Sequence, residues 1–390
     1  MLRFLTAGES HGPAEIAILE GMVADLTISK EDIRKELEKR RGGAGRGGRG
    51  KIETDQVSIL SGIRFGKTLG SPIALLVDNM DFLNWLGKMD IEDNPKINKD
   101  EIKKTTPRPG HADLAGIQKY GFDDIRNVLE RASARETIMR VAVGAICRKF
   151  LSEFDIEIAS HTIQIGQIKL NKNSVQFEEI KNVFNTDPEI HCIDKNISEK
   201  MKQAILEATK SKDTLGGVVE VIAHNVPVGL GSHVHYDRKL DGRLAQSLMS
   251  IPSVKAVEIG TGIENASRFG SEVHDEIYYK PKGPTLNRYF RKTNRAGGIE
   301  GGISNGEDII AKVFHKPLST LNQPLNSVDI QTKQSSKALV ERSDVCVIPR
   351  AGVISESMVA FVLAQAMLEK FGGDNINETK RNYDSYIKSL

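Results

Sequence analysis

Two histidines sit in glycine-flanked turns, His11 in Ala7-Gly-Glu-Ser-His-Gly12 and His111 in Arg108-Pro-Gly-His-Ala-Asp113. A turn lets an imidazole reach a cleft, and histidine is the side chain best suited to exchange a proton near neutrality. Asp344, within Glu341-Arg-Ser-Asp-Val-Cys-Val-Ile-Pro-Arg350, opens an apolar, strand-like run. A carboxylate there can orient a base or accept a proton, or form a plain ion pair with an arginine beside it. Residues 40–51 read RRGGAGRGGRGK, four arginines and six glycines in twelve positions. Glycine permits tight bends and guanidinium supplies permanent, forked positive charge, a pattern suited to gripping phosphate, carboxylates or a nucleic-acid backbone. Arg131-Ala-Ser-Ala-Arg135 opens a helix, where free N–H groups, a serine and two arginines suit an anion or simply cap the helix.

Several clients of the arginine stretch can be set aside. Gly45 to Lys51 has the skeleton of a nucleoside-triphosphate loop, but Ile52 stands where a metal-binding hydroxyl is needed, and a helix precedes it instead of a strand. RNA readers stack bases on aromatics, and none occurs between Phe4 and Phe65. The chain carries 54 basic against 52 acidic groups, net +2, so its positive charge is local and suggests a pocket more than a coat for nucleic acid. His233 and His235 share a strand face but lack a third ligand, so no metal is expected. Cys147, Cys192 and Cys346 are odd in number and far apart, which implies neither a zinc site nor a disulfide framework. With no signal-peptide pattern and no run of 18 apolar residues, a cytoplasmic protein off the membrane is expected.

These side chains need a scaffold. The Ser29/Asp32 spacing predicts a capped helix over 30–41 that ends in the glycines and puts Arg40 and Arg41 in its last turn. Strands are expected at Val57–Ile63 and Pro72–Asp78, with 66–70 as hairpin material, and 79–110, holding the only tryptophan, as a lid-like loop. A buried helix over 133–150 opens on a Ser133/Glu136 capping box. Further strands are expected at Ile156–Ile165, Val218–Ala223, Val254–Ile259 and Asp308–Phe314, with helices near Ser198–Thr209 and Lys239–Met249. A last strong helix over Glu356–Phe371, capped by Ser355, precedes a polar tail expected to fray. The pattern reads as a single α+β domain, 1–390, with mainly antiparallel sheet.

The ordered set AGESHG, RRGGAGRGGRGKIETDQV, TPRPGHADLAGIQKYG, RASARETIMRVAVGA, SIPSVKAVEIGTG, AGGIEGGISNG, HKPLSTL and RSDVCVIPRA resembles the chorismate synthase family over residues 7 to 351. The resemblance implies a β-α-β sandwich with helices between two antiparallel sheets, and a homotetramer. It also implies a lyase of the shikimate pathway, serving aromatic amino acid biosynthesis. This enzyme converts 5-enolpyruvylshikimate 3-phosphate to chorismate by 1,4-anti elimination of phosphate and needs reduced FMN. By family position, Ser10, Arg40, Arg46, Arg49, Arg108 and Arg135 would hold the substrate. His11 would protonate the departing phosphate, His111 would protonate the reduced flavin, and Asp344 would help remove the ring proton. FMN contacts would map to Arg131, Ala132, Ser133, Pro252, Ser253, Gly301, Lys316, Pro317, Leu318, Ser319, Thr320 and Arg342. The Pro252-Ser253 pair departs from the Asn-Ala or Pro-Ala frequent in relatives, which removes any side-chain amide contact at 252. NADPH is implied only as an outside source of electrons, since no dinucleotide fingerprint is present.

Overall fold

The structure is a computed structural model that describes residues 1–47, 54–172, 175–280 and 288–390. Strands β1 (Arg3–Ala7) and β2 (Ala14–Glu20) lead to helix α1 (Lys30–Arg41), then to β3 (Val57–Ile59) and β4 (Ile73–Asp78). These strands form an antiparallel sheet in the order β1-β2-β4-β3. The chain then runs through α2 (Asp113–Tyr120) and α3 (Thr137–Ser152) into β5 (Glu157–Ile165) and β6 (Ile168–Lys169). After α4 (Lys195–Lys210) come β7 (Gly217–His224), α5 (Leu240–Met249), β8 (Val254–Ile259) and β9 (Ile309–His315). The second sheet, also antiparallel, has the order β8-β9-β7-β5-β6. Helices α6 (Ile348–Phe371) and α7 (Ile376–Ser389) close the chain.

Helix α3 packs on β2 and on α6, and α6 packs on β5 and β7, so the helices fill the space between the sheets. This is the layered α+β arrangement the sequence implied. Apolar side chains from both sheets and both helices, among them Leu19, Leu75, Ile146, Leu363, Val219 and Val313, join one continuous core. Each large aliphatic side chain buried this way stabilises the fold by about 1.5–3 kcal/mol. The two central helices touch closely at Gly144, where a Cβ would lie 2.3 Å from Ser357 Cβ. Among the described residues α6 alone is long and apolar enough to cross a membrane, but most of it is buried as the core helix.

Local chemistry explains the elements that position the site. Ser29 Oγ accepts from Asp32 N–H at 3.2 Å while Asp32 Oδ2 accepts from Ser29 N–H at 2.8 Å, completing the expected capping box. Ile33 and Leu37 bury one face of α1, and its last turn carries Lys39, Arg40 and Arg41, favoured at a helix C-terminus.

Five expectations are corrected. Residues Lys67–Leu69, expected as hairpin material between two longer strands, are themselves a strand paired with Ala24–Thr27 and Ile63–Arg64. Ser133 Oγ accepts from Arg135 N–H at 3.3 Å, whereas Glu136 turns to Arg140, so a 3-10 turn and no capping box precedes α3. The run Val345–Ile348 is not a strand: it leads into α6, which starts at Ile348 with Pro349 in its first turn, where a missing N–H costs nothing. Ser355 therefore lies inside α6 and donates to Ala351 O at 2.9 Å. The tail does not fray, because Asn375 caps α7 and Tyr383 packs against Phe154 and Phe371 at 5.0 and 5.3 Å.

Candidate active site

A cavity of about 480 Å³ opens where the turn after β1, the end of α1, the segment before α3, and the 316–320 and 341–350 segments meet. Its wall includes Ser10, His11, Arg40, Arg46, Arg108, His111, Ala132, Ser133, Arg135, Pro252, Ser253, Lys316, Leu318, Ser319, Thr320, Arg342 and Asp344. Residues spread over more than 330 positions of sequence thus share one space. Arg131, Gly301 and Pro317 are not on that wall, and Arg49 lies outside the described residues, as does the 48–53 part of the triphosphate-loop skeleton. Arg131 reaches back to β1, donating to Thr6 O, Thr6 Oγ1 and Gly8 O.

His11 is held by one residue at three points. Ser10 N–H donates to Glu130 O at 3.1 Å, His11 N–H to Glu130 Oε2 at 2.9 Å, and His11 Nδ1 lies 2.8 Å from the same oxygen. Glu130 Oε1 accepts from Arg126 at 2.6 Å. Burial alone would raise the Glu130 carboxyl, but bonding to His11 and Arg126 outweighs it and holds the group below its usual range. From the other side Asn79 Nδ2 donates to Glu9 O and Gly12 O, fixing the turn.

His111 repeats the device on another wall. Its Nδ1 lies 2.6 Å from Asp113 Oδ1, and Asp113 Oδ2 accepts from Arg108 N–H and Nε at 3.0 and 2.8 Å. Burial opposes the Asp113 charge, yet His111 and Arg108 hold its carboxyl well below the carboxylate range. Arg108 Nη1 also donates to Thr320 Oγ1 at 2.9 Å, and Ser319 Oγ donates to Gly110 O at 2.9 Å, stitching this turn to the 316–320 segment.

The arginines are organised by acids that sequence reasoning missed. Asp55, 3% exposed and at φ 53°, accepts from Arg135 Nη1 at 2.7 Å and lies 3.5 Å from Arg40 Nη1. Burial pushes the Arg40 guanidinium down to about 10, against the pull of Asp55. Asp55 thereby offsets the mutual repulsion of the guanidinium groups gathered there. Asp344 pairs with Arg350, a cavity residue not anticipated, while Arg342 pairs with Asp81. The neighbour pair suggested by Arg342-Ser-Asp344 does not form. Arg350 Nε and Nη2 are buried with no hydrogen-bond partner among the described residues.

The part of the arginine–glycine stretch around Gly45 and Gly47 is docked on the 343–346 segment. Val345 N–H donates to Gly45 O at 2.8 Å, and Gly47 N–H donates to Asp344 Oδ1 at 2.7 Å. A Cβ at residue 47 would stand 2.5 Å from Ser343 O, so only glycine allows this approach. No sequence signal paired these segments, which lie about 300 residues apart.

The donor set suits an anionic, planar cofactor. Lys316 Nζ donates to Ser319 Oγ at 2.8 Å, and burial with nearby Lys255 lowers its ammonium. Ser253, at φ 74°, has its Oγ 2.9 Å from His315 Nδ1, and Lys316 N–H donates to Ser253 O. Together with Ser133 and Thr320 these give hydroxyl, ammonium and backbone donors for a phosphate and a ring edge, so the residues present fit FMN. Among the described residues no group of three or more His, Cys, Asp or Glu gathers as metal ligands, and His235 pairs with Asp237.

A family model described as chorismate synthase matches residues 2–368. Chorismate synthases of Geobacter sulfurreducens and Aquifex aeolicus are each 52% identical to this chain over all of it, covering 99% and 98% of their own lengths. A crystal structure titled as chorismate synthase superposes with a TM-score of 0.79 at 42% identity, over 100% of this chain and 98% of that one.

Proposed function

The chain belongs to the chorismate synthase family, and from that premise we propose how its own residues carry the reaction. The activity is the 1,4-anti elimination of phosphate and a ring proton from 5-enolpyruvylshikimate 3-phosphate, giving chorismate. The observation that supports the residue assignment is the convergence of His11, His111, Asp344 and four expected arginines on one cavity.

The substrate carries a phosphate and two carboxylates, which match Arg40, Arg46, Arg108 and Arg135, with Arg350 as a further cation. Ser10 supplies a hydroxyl donor. Asp55 holds Arg135 and Arg40 in place for the anions, so less of the binding energy is needed to order the pocket. With Nδ1 committed to Glu130, His11 delivers its proton from Nε2 to the departing phosphate. Asp344, paired with Arg350 and accepting from the Gly47 N–H, helps take the ring proton. His111, with Nδ1 committed to Asp113, holds a proton toward the cofactor. Lys316, Ser319, Thr320, Ser133, Ala132, Leu318, Pro252, Ser253 and Arg342 would hold FMN. When bound in reduced form it supplies the electron density that helps expel phosphate.

Electrons come from an outside reductant: anaerobic incubation of pure protein with NADPH and FMN should leave the flavin oxidised. A homotetramer is supported by the outer face of the first sheet, where Leu5 and Ile18 face each other in register and are 69% and 42% exposed. Light scattering should give four times the chain mass. The binding assignment is tested by melting temperature. Reduced FMN plus 5-enolpyruvylshikimate 3-phosphate should raise it, and an oligonucleotide should not. The reverse pattern would favour a nucleic-acid client for the arginine loop.

A further inference from the structure

We propose that Trp85, the only tryptophan of the chain, is a positioning residue for His11, its indole fixing the plane of the imidazole. The proposal rests on the reading of His11 as the proton donor. The imidazole and indole stack with centroids 3.8 Å apart and planes 28° from parallel. A hydrogen bond at Nδ1 fixes one axis of the His11 ring but leaves rotation about the Nδ1···Glu130 line. A stacked aromatic face removes that rotation and so sets where Nε2 points.

The indole is itself held. Its Nε1–H donates to Asp81 Oδ2 at 3.3 Å, and Asp81, 2% exposed, also accepts from Asn84 at 2.9 Å and pairs with Arg342. The Arg126 guanidinium lies 4.8 Å from the indole centroid and also binds Glu130 at 2.6 Å. One ring therefore joins the two partners of His11, Glu130 and the stacked face, into a single brace. The brace belongs to the segment after β4, expected to be lid-like, whose 3-10 turn Phe82–Trp85 supplies Asp81 as its preceding residue.

The single tryptophan makes the contact measurable in the intact protein without substrate. An imidazole stacked on one face of the indole sets the surroundings of its emission. At one fixed pH, His11→Asn should therefore change the emission maximum or intensity of Trp85, while the other charged groups facing the indole, Arg126, Lys88 and Asp81, are left in place. Unchanged emission in His11→Asn would overturn the contact. In turnover, Trp85→Leu should lower kcat about tenfold or more with KM within about twofold, since a misaimed proton donor costs rate and not binding. Trp85→Phe, which keeps a stacking face, should stay within about threefold of wild type. Wild-type kcat in Trp85→Leu, or an equal loss in Trp85→Phe, would overturn the positioning role. Wild-type turnover in His11→Ala would instead overturn the underlying acid role, and the emission change in His11→Asn would stand apart from that result.

Discussion

His11 and His111 are wired alike and covered differently. Each sits in a tight turn, each places Nδ1 on a buried carboxylate, and each carboxylate is held in turn by an arginine. The chain from His11 runs to Glu130 and Arg126, and that from His111 to Asp113 and Arg108. The cover differs: Trp85 roofs His11, while no aromatic ring stacks on His111 among the described residues. The same device thus orients the rings of the two proposed proton carriers, and their surroundings suit the separate tasks proposed for them. A roofed imidazole is protected from bulk water, as a donor to a departing phosphate should be. An open one can face a bound ring.

The comparison is broken or sharpened first by removing the rings. His11→Ala and His111→Ala should each lower kcat by about 10²–10⁴ while the fold persists, checked by turnover and circular dichroism. Added imidazole should restore part of the rate in His111→Ala and none in His11→Ala, whose site is roofed. Equal rescue in both would remove the distinction. A smaller effect is expected one step outward. Glu130→Gln and Asp113→Asn should cost on the order of tenfold to hundredfold, the range seen when a histidine loses its orienting partner. Asp55→Asn should act on binding instead. Loosening Arg40 and Arg135 should raise KM for the substrate by about tenfold with kcat little changed, a loss of roughly 1.4 kcal/mol of binding.

The smallest effect uses a histidine that lacks the device. His315 is 5% exposed, bonded through Nδ1 to Ser253 and with no carboxylate partner among the described residues, and burial pushes it down to about 4 from 6.5. Between those values the unfolded chain binds a proton that the folded chain does not, so stability falls as pH drops from 6.5 to 4. His315→Gln should flatten that part of the stability curve, measured by denaturant unfolding at several pH values. Glu130 and Asp113 contribute with the opposite reference. Their folded values are depressed, so their stabilisation is present above about pH 4 and is lost only in more acid solution.

The parts of the site that bind by charge or carry protons were legible in the sequence, because arginine, glycine and histidine in short turns are locally unusual. The capped helix ending at Arg40 and Arg41 was legible for the same reason. The groups that aim them were not. Glu130 lies 119 positions from His11, Asp55 80 from Arg135, and Asp81 261 from Arg342. An isolated carboxylate in a polar segment carries no mark of the partner it will meet. Asp113 was the exception, two residues from His111 and quoted with it, though without a role. The start of α6 was misread because Val345–Ile348 is short and apolar, a pattern shared by strands and buried helix starts. Helix α7 was missed because Ile376 and Tyr383 are the only large apolar side chains that it buries.

The arginine–glycine stretch reads from sequence as a tightly bending grip for anions. Gly45 and Gly47 also let its backbone lie against residues 343–346, bringing the Gly47 N–H to Asp344. The proposed substrate grip and the proposed proton acceptor are therefore joined by backbone contact.

The central claim is that this chain's own cavity performs the elimination. Anaerobic turnover of 5-enolpyruvylshikimate 3-phosphate by pure protein with pre-reduced FMN tests it most directly. Chorismate and phosphate formed in equal amounts, at a rate cut by about 10²–10⁴ in His11→Ala, is the predicted result. No chorismate from the wild-type protein, or an undiminished rate in His11→Ala, would contradict it.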